Sequence, residues 1–329
     1  MLPRLPGGPL VDTIVRRIFL GLLTLLLVSV LVFWATQLLP GDAAQAVLGR
    51  TANPARLAAL RTQLHLNQPG PTQYWIWLTG VLAGHPGASL ASGDPVWQMV
   101  EPRLLNSMYL LVTVAAIGVP LSLVLGIAAA LRRDRAFDHG MSTATLVMAA
   151  LPEFVIAIGL VILLATLVLQ LFPPVSLVAP GASVWSDPRI MVLPALTLVI
   201  AVVPYIYRMI RGSMIEALES EYVEMARLKG VSQLALLLRH ALPNAVAPTV
   251  QAIALTFAYL AGGVVVVEYV FGFPGIGQGL VNAVNNRDIP TVQFIVLLLA
   301  GFYVAVNIAA DVIAVLVTPR LRTGSWRRA

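Results

Sequence analysis

No cysteine occurs among the 329 residues, which excludes disulfides, thiol catalysis, iron–sulfur clusters and cysteine-based zinc sites. Charge is scarce too. Asp, Glu, Lys and Arg make up 11% of the chain while 58% is hydrophobic, against about 25% and roughly 45–50% in ordinary soluble proteins. A water-soluble globule is thereby excluded. The single lysine, Lys229, is followed by Gly230 and Val231 and not by Ser or Thr after a phosphate-cradling glycine loop, so the chain has no P-loop and is not itself a P-loop ATPase. The four histidines, His65, His85, His139 and His240, lie far apart and form no H-E-x-x-H; no metal centre is expected. Gly140-Met141-Ser142 and Gly212-Ser213 do not complete G-x-S-x-G, and no histidine base falls inside an apolar run, which leaves no machinery for intramembrane hydrolysis.

What the chain has is apolar length. Six runs, at Ile18 to Leu39, Leu104 to Leu131, Met141 to Phe172, Ile190 to Tyr207, Ala247 to Val267 and Val292 to Val317, reach the roughly 17–25 residues that cross a hydrocarbon core of about 30 Å. They predict an all-α polytopic membrane protein with six transmembrane helices in contact with lipid. The first run exceeds a signal-peptide core, and Ala44-Gln45-Ala46 lies too far from the basic flank to serve as its cleavage site, so it is expected to remain as a span. The net charge of +6 is expected to set orientation rather than to recruit nucleic acid. With the N-terminus inside, fifteen of the basic residues fall on the inner side (three before the first span, Arg132, Arg133 and Arg135, five from Arg208 to Arg239, and four after the last span) and six on the outer side. Both termini should therefore be cytoplasmic.

The expected layout is a cytoplasmic N-terminus over 1–17, a first span over 18–39, an outer loop over 40–103, a five-helix core over 104–317 and a cytoplasmic tail over 318–329. In the outer loop Asn53 is placed to cap a short helix with Pro54 at its first position. Tyr74, Trp75 and Trp77 suit the headgroup region, with ligand contact as the alternative. Within the core, the inner segment 211–245 reads as a helix over Tyr222 to Lys229, a glycine turn at Gly230, and a second helix capped by Ser232 that stops before Pro243. Leu234, Leu237, Leu238 and Ala241 fall at i, i+3, i+4, i+7 and predict one apolar face. Such a hairpin can be gripped by a partner, lie on the bilayer, or pack under its own spans. The outer segment 268–291 has a tight turn at Pro274-Gly275, after which Leu280 to Asn286 can re-enter as a short helix.

Three acids fall at or near membrane depth, where an ionised side chain costs at least about 2.5–3.5 kcal/mol. These are Glu153, Glu268 and Asp311. Each is a candidate for a translocation path or gate, or alternatively for an interhelical hydrogen bond. Pro120, Pro152, Pro194 and Pro204 bend the runs that contain them, for packing or for movement. No internal repeat of the kind found in ion-coupled carriers is visible, but an autonomous carrier and a non-transporting scaffold remain alternatives on the residues alone.

Several motifs occur together in order. Glu224-Met225-Ala226 is followed after three residues by Gly230 and after nine more by His240-Ala241-Leu242-Pro243. Leu39-Pro40-Gly41-Asp42, Arg61 to Leu66 with Gln73-Tyr74, Val267-Glu268, Phe271-Gly272 with Pro274-Gly275, and Asn286-Arg287-Asp288 with Pro290 flank this core motif. The chain resembles the permease subunits of ATP-binding cassette importers, specifically the first of the two membrane subunits in dipeptide and oligopeptide systems. Met225 and His240 depart from the general pattern, and Gly84-His85-Pro86-Gly87 stands where G-D-L-G is usual. The resemblance implies the importer permease fold with cytoplasmic coupling helices in a cell inner membrane. It implies alternating access driven by two ATP-binding subunits, with ATP and Mg bound there and no cofactor in this chain. A second homologous permease and an extracytoplasmic solute-binding protein would complete the system. The implied solute is a short peptide, with nickel chelates, glutathione and oligosaccharides as alternatives carried by related systems. The resemblance assigns ATPase coupling to Glu224, Ala226, Arg227, Gly230, Leu234, Leu237, Leu242 and Pro243: Ala226 and Gly230 as small positions, Leu234 and Leu237 as apolar contacts, Glu224 and Arg227 as a polar rim.

Overall fold

The computed structural model describes residues 8–37, 67–178 and 183–317, with 53, 55, 58, 61 and 62. Leu39-Pro40-Gly41-Asp42, Ala44-Gln45-Ala46, Pro54 and the tail 318–329 lie outside the described residues. Asn53 lies within them, and its Oδ1 accepts a hydrogen bond from the Ala55 N–H at 3.0 Å, as a helix cap does. Eleven helices are found among the described residues: α1 (Gly8–Gln37), α2 (Gly70–Leu82), α3 (Val96–Leu131), α4 (Ala136–Ala150), α5 (Glu153–Leu160), α6 (Arg189–Leu218), α7 (Glu221–Leu228), α8 (Gln233–Leu236), α9 (Leu242–Phe271), α10 (Ile276–Asn285) and α11 (Ile289–Val317). The chain is an all-α, multi-pass membrane protein.

The axis of the bundle is α6. Within its most apolar stretch 72% of residues are buried, against 17% for α1; both are apolar, so burial by other helices, not hydropathy, separates the centre from the lipid-facing edge. One wall against α6 is α3, which presents Gly118, Ser122, Gly126 and Ala130 at four-residue intervals. Small residues so spaced let two backbones approach closely. At Gly126 an added Cβ would stand 2.3 Å from Ile210 Cγ2 and 3.0 Å from the Tyr207 carbonyl oxygen. On its other side α6 packs against α9, and Leu198, Val202, Ile206, Leu260 and Val264 fill the space between them. Hydroxyls inside these helices bond to their own helix, as Ser122 does to Gly118 O at 2.6 Å and Thr197 to Leu193 O at 2.8 Å, which satisfies them without water.

The third predicted span, Met141 to Phe172, is not one helix. It breaks at Leu151-Pro152, and the axes of α4 and the α5 segment that follows meet at 105°. Leu151 takes an extended ψ of 129°, the conformation imposed on a residue preceding proline, and Pro152 has no N–H with which to continue the ladder. Beyond α5 the chain makes one wide π turn over Val161–Thr166 before leaving helical structure.

At the edge, α11 packs on α1, tied by Gln293 Nε2 to Thr36 Oγ1 at 2.7 Å. Tyr74 and Trp77 of α2 pack on Phe33 of α1, with ring centroids 5.4 Å and 5.8 Å apart, and the Tyr74 hydroxyl pairs with Ser29 at 2.8 Å. Two of the three aromatics expected at the headgroups are thus internal glue, and Trp75 is the exposed one.

Candidate functional site

The segment between α6 and α9 forms a compact hairpin. α7 ends in a turn in which Gly230 N–H reaches Arg227 O at 3.0 Å and Val231 N–H reaches Ala226 O at 3.2 Å. This double bond satisfies the last carbonyls of the helix and requires a left-handed residue, which Gly230 supplies with φ 77°. Val223, Ala226 and Leu236 are buried together with Leu218 and Val231 around them, so the hairpin has a small core of its own. Ala226 therefore faces inward. Glu224, Arg227, Gly230, Leu234 and Pro243 are exposed, whereas Leu237 and Leu242 pack against Ala130, Ile210 and Met214 at the base of the bundle.

The apolar face predicted on the second helix is divided. α8 widens into a π turn over Leu237–Ala241 and runs on into α9 without stopping at Pro243. Proline would collide with the carbonyl four residues back in a regular α-helix, and a wider turn ahead of it relieves that collision. The wide turn also shifts the register, so that Leu234 and Leu238 point outward while Ala241 is buried. With Leu234 at 65% exposure, the outer face is completed by Tyr222, Met225 at 57% and Leu228 at 77%. These three were missed in the sequence. Their signal is a second i, i+3, i+6 apolar series beside Val223 and Ala226, more than one small core can bury.

The three acids are not brought together. Asp311 meets Arg17 of α1 at 3.0 Å on the partly exposed edge of the bundle. Glu153 opens α5 beside Gly263, where its Oε1 lies 3.3 Å from the position a Cβ would take. Glu268, 0% exposed, accepts from Ser107 Oγ at 2.5 Å and from the Gly277 N–H at 2.7 Å, and the Gln278 N–H lies 3.4 Å away. It thereby holds the first turn of α10 against α3 and α9, and lines no open path within this chain. The turn closes so tightly that a Cβ at Gly275 would stand 2.1 Å from Glu268 Oε1.

Two further acids join distant segments: Asp138, which was not singled out by the sequence, and Asp288, which was noted there only within the motif Asn286-Arg287-Asp288. Asp288 follows α10 and accepts from Ser89 Oγ at 2.6 Å, from the Leu90 N–H at 2.9 Å and from Thr291 Oγ1 at 2.6 Å, joining the segment after α2 to α10 and α11. Asp138, in the first turn of α4 and 1% exposed, receives Arg211 Nε at 2.6 Å and Nη2 at 2.7 Å. This bidentate pair sits beside the hairpin, and Arg133 also reaches Glu219 there. The long-range bonds, from Ser89 to Asp288 across 199 residues and from Arg211 to Asp138 across 73, have no local pattern that marks them. Among the described residues no three carboxylate or imidazole groups converge as a metal-ligand set.

Residues 122–323 match the family described as binding-protein-dependent transport system inner membrane component, and residues 10–110 match the N-terminal part of such membrane components. The chain is 36% identical over 312 residues to a probable peptide ABC transporter permease protein of Sinorhizobium fredii, covering 94% of this chain and 98% of the relative. It is 36% identical over 315 residues to a glutathione transport system permease protein of Salmonella typhimurium, covering 95% and 99%. A putative peptide transport system permease protein of Brucella abortus is 34% identical over 309 residues, covering 94% and 98%.

Proposed function

Because the chain belongs to the family of binding-protein-dependent transport system inner membrane components, we propose that it is the permease subunit of an ATP-driven importer of short peptides, placed in the inner membrane with both termini cytoplasmic. The peptide assignment rests on what the relatives are named for, two with peptides and one with glutathione, itself a tripeptide in composition. ATP and Mg belong to two partner subunits, a second homologous permease completes the pathway, and a solute-binding protein delivers from outside. The mechanism is alternating access.

One observation carries the coupling assignment: a hairpin that caps itself, owns its core, and still shows Tyr222, Met225, Leu228 and Leu234 to its surroundings. An apolar helix face with a charged rim of Glu224, Arg227 and Lys229 has the form of a helix that lies in a partner's groove. Gly230 serves the turn, and Ala226 serves the hairpin's core and not the contact itself. Leu237, Leu242 and Pro243 join the hairpin to the bundle, so that movement of the one is felt by the other.

Leu228→Asp tests this, since Leu228 contributes to no buried cluster. The variant should insert and pair with the second permease but lose co-purification of the ATPase subunits and ATP-dependent uptake. Wild-type co-purification overturns the docking assignment. The orientation is checked separately by alkaline phosphatase fused between Phe172 and Val184, which should be active.

A further inference from the structure

The turn between α3 and α4 carries charge that the fold itself does not consume. Its outline is fixed: the Asp134 N–H reaches Asp138 Oδ2 at 3.1 Å, the Arg135 N–H reaches Arg132 O at 3.1 Å, and Asp134 stands in the left-handed region with φ 60°. The acids around it are occupied, Asp138 by Arg211, Glu219 by Arg133, and Asp134 by Arg133 at 3.5 Å. Arg132 and Arg135 are left over: both are exposed, and neither meets a carboxylate among the described residues. Arg132 is nonetheless held in place. Its guanidinium carbon lies 5.2 Å from the centre of the Phe137 ring, a cation–π contact that fixes the charge without pairing it.

Leu131 before this turn and Phe137 after it are 52% and 37% exposed, so the unpaired charge has an apolar side chain on each side. Leu131 also ends a stripe. Ile117, Leu121, Val124 and Leu131 are all exposed and fall on one face of α3, and each is aliphatic, as a surface against lipid tails requires. From Leu104 to Leu131 the helix rises about 42 Å, which matches the roughly 40–45 Å of a bilayer with its headgroups. Arg132 therefore comes at the level of the lipid phosphates. This is the hairpin end of the molecule, because Leu237 and Leu242 pack on Ala130 just before it. An arginine that only snorkels moves freely and serves any headgroup. One pinned on a ring, beside a second unpaired arginine and with every nearby acid engaged, favours a ligand of net negative charge whose oxygens fit a guanidinium fork.

We infer that this turn, with Leu131 and Phe137, is a binding site for an anionic phospholipid, its phosphodiester on the Arg132 guanidinium and an acyl chain along Leu131, Val124 and Leu121. Arg135 adds positive charge to the same turn and so disfavours headgroups that carry an ammonium of their own. The site goes beyond the importer reading and does not depend on which solute is carried. It also has a place in the coupling. Asp138 holds both the Asp134 N–H of the turn and Arg211 beside the hairpin, so a lipid seated here braces the base on which the hairpin stands.

The test uses the assembled transporter reconstituted in vesicles. Phe137→Trp places a fluorophore in the site and keeps an aromatic ring under Arg132; its signal is the difference from the same assembly with Phe137. Quenching is compared between brominated phosphatidylglycerol diluted in plain phosphatidylcholine and brominated phosphatidylcholine diluted in plain phosphatidylglycerol. The added tryptophan should select phosphatidylglycerol by about tenfold, the size of one charge-assisted contact. Adding Arg132→Gln should abolish that selection and leave quenching by phosphatidylcholine as it was, so that the surface is intact and only its preference is gone. Inorganic phosphate, at matched ionic strength, should not displace the lipid. As a check free of the tryptophan change, wild-type and Arg132→Gln assemblies washed in detergent and weighed intact should differ by a retained phosphatidylglycerol on this chain. Equal quenching by the two lipids, selection that survives Arg132→Gln, or equal lipid retention overturns the site. So does quenching by neither lipid, which would mean that a protein covers the turn, and so does displacement by inorganic phosphate, which would make the ligand a free anion.

Discussion

At the hairpin end α7 closes on Gly230 with φ 77°, and at the opposite end α10 closes on Arg287 with φ 55°. The backbone bonds are the same in both: Val231 N–H to Ala226 O at 3.2 Å in one, Asp288 N–H to Ala283 O at 2.8 Å in the other. The residue in the left-handed position is what differs. Gly230 takes it freely, with nothing within 4 Å of where a Cβ would be. Arg287 takes it at a cost of about 1–2 kcal/mol, because Asp288 next to it is held by Ser89, Leu90 and Thr291. An element shaped by its neighbours is part of the frame. One shaped by its own sequence keeps its form while its outer face stays free for something else.

Gly277→Ala strikes the frame hardest. The new Cβ would stand 2.3 Å from Val265 Cα, and backbone cannot swing aside as a side chain can. We expect a loss at or above roughly 3 kcal/mol, the upper end for overpacking, read as a large fall in thermal stability of the purified permease. A wild-type melting temperature would show that the α10 end yields. Asp138→Asn comes next. It strands Arg211 beside the hairpin, and because Arg211 keeps 27% exposure the loss should fall somewhat below the roughly 3–5 kcal/mol of a fully buried pair, at about 2–3 kcal/mol. Hydrogen exchange should quicken first across α4 and the hairpin base; uniform quickening would mean that the two ends are not separate.

Gly230→Ala should cost about 1–2 kcal/mol and only locally. Amide exchange is expected to rise over residues 221–231 and to stay unchanged over 276–285; a change at both ends would break the comparison. The smallest effect belongs to Arg287→Gly, which removes the left-handed penalty but adds backbone entropy to the unfolded chain. The net gain should be under about 1 kcal/mol. A measurable loss would show that the Arg287 side chain contributes beyond the turn.

The helices and the hairpin turn were legible because their signals are local. Apolar length gave the spans, and a lone glycine after Lys229 gave the turn. Pro152 was visible as a bend, but the 105° angle depends on what α5 packs against, which no window of sequence contains. The face of the second hairpin helix was misread because a period of 3.6 was applied across a π turn, and that turn exists only because the helix continues through Pro243. Glu268 was visible as an acid in apolar surroundings, yet its partners Ser107 and Gly277 had to be found in space. Arg211 was counted for the side of the membrane it lies on, while its principal bond is to Asp138, 73 residues away. Charge statistics and periodicity report on one element at a time, and these sites are made between elements.

No loop separates the hairpin from the helix that crosses beside α6. From Gln233 the chain stays helical to Phe271, bending by 45° ahead of Pro248 on the way. Its handle is Leu234, its middle carries Tyr259, and its far tip carries Glu268. On the proposed coupling role such a shape is a crank: pushed at one arm it has no non-helical joint in which to lose the stroke, so a twist entering from below would arrive at Tyr259 and at the upper clasp as one motion.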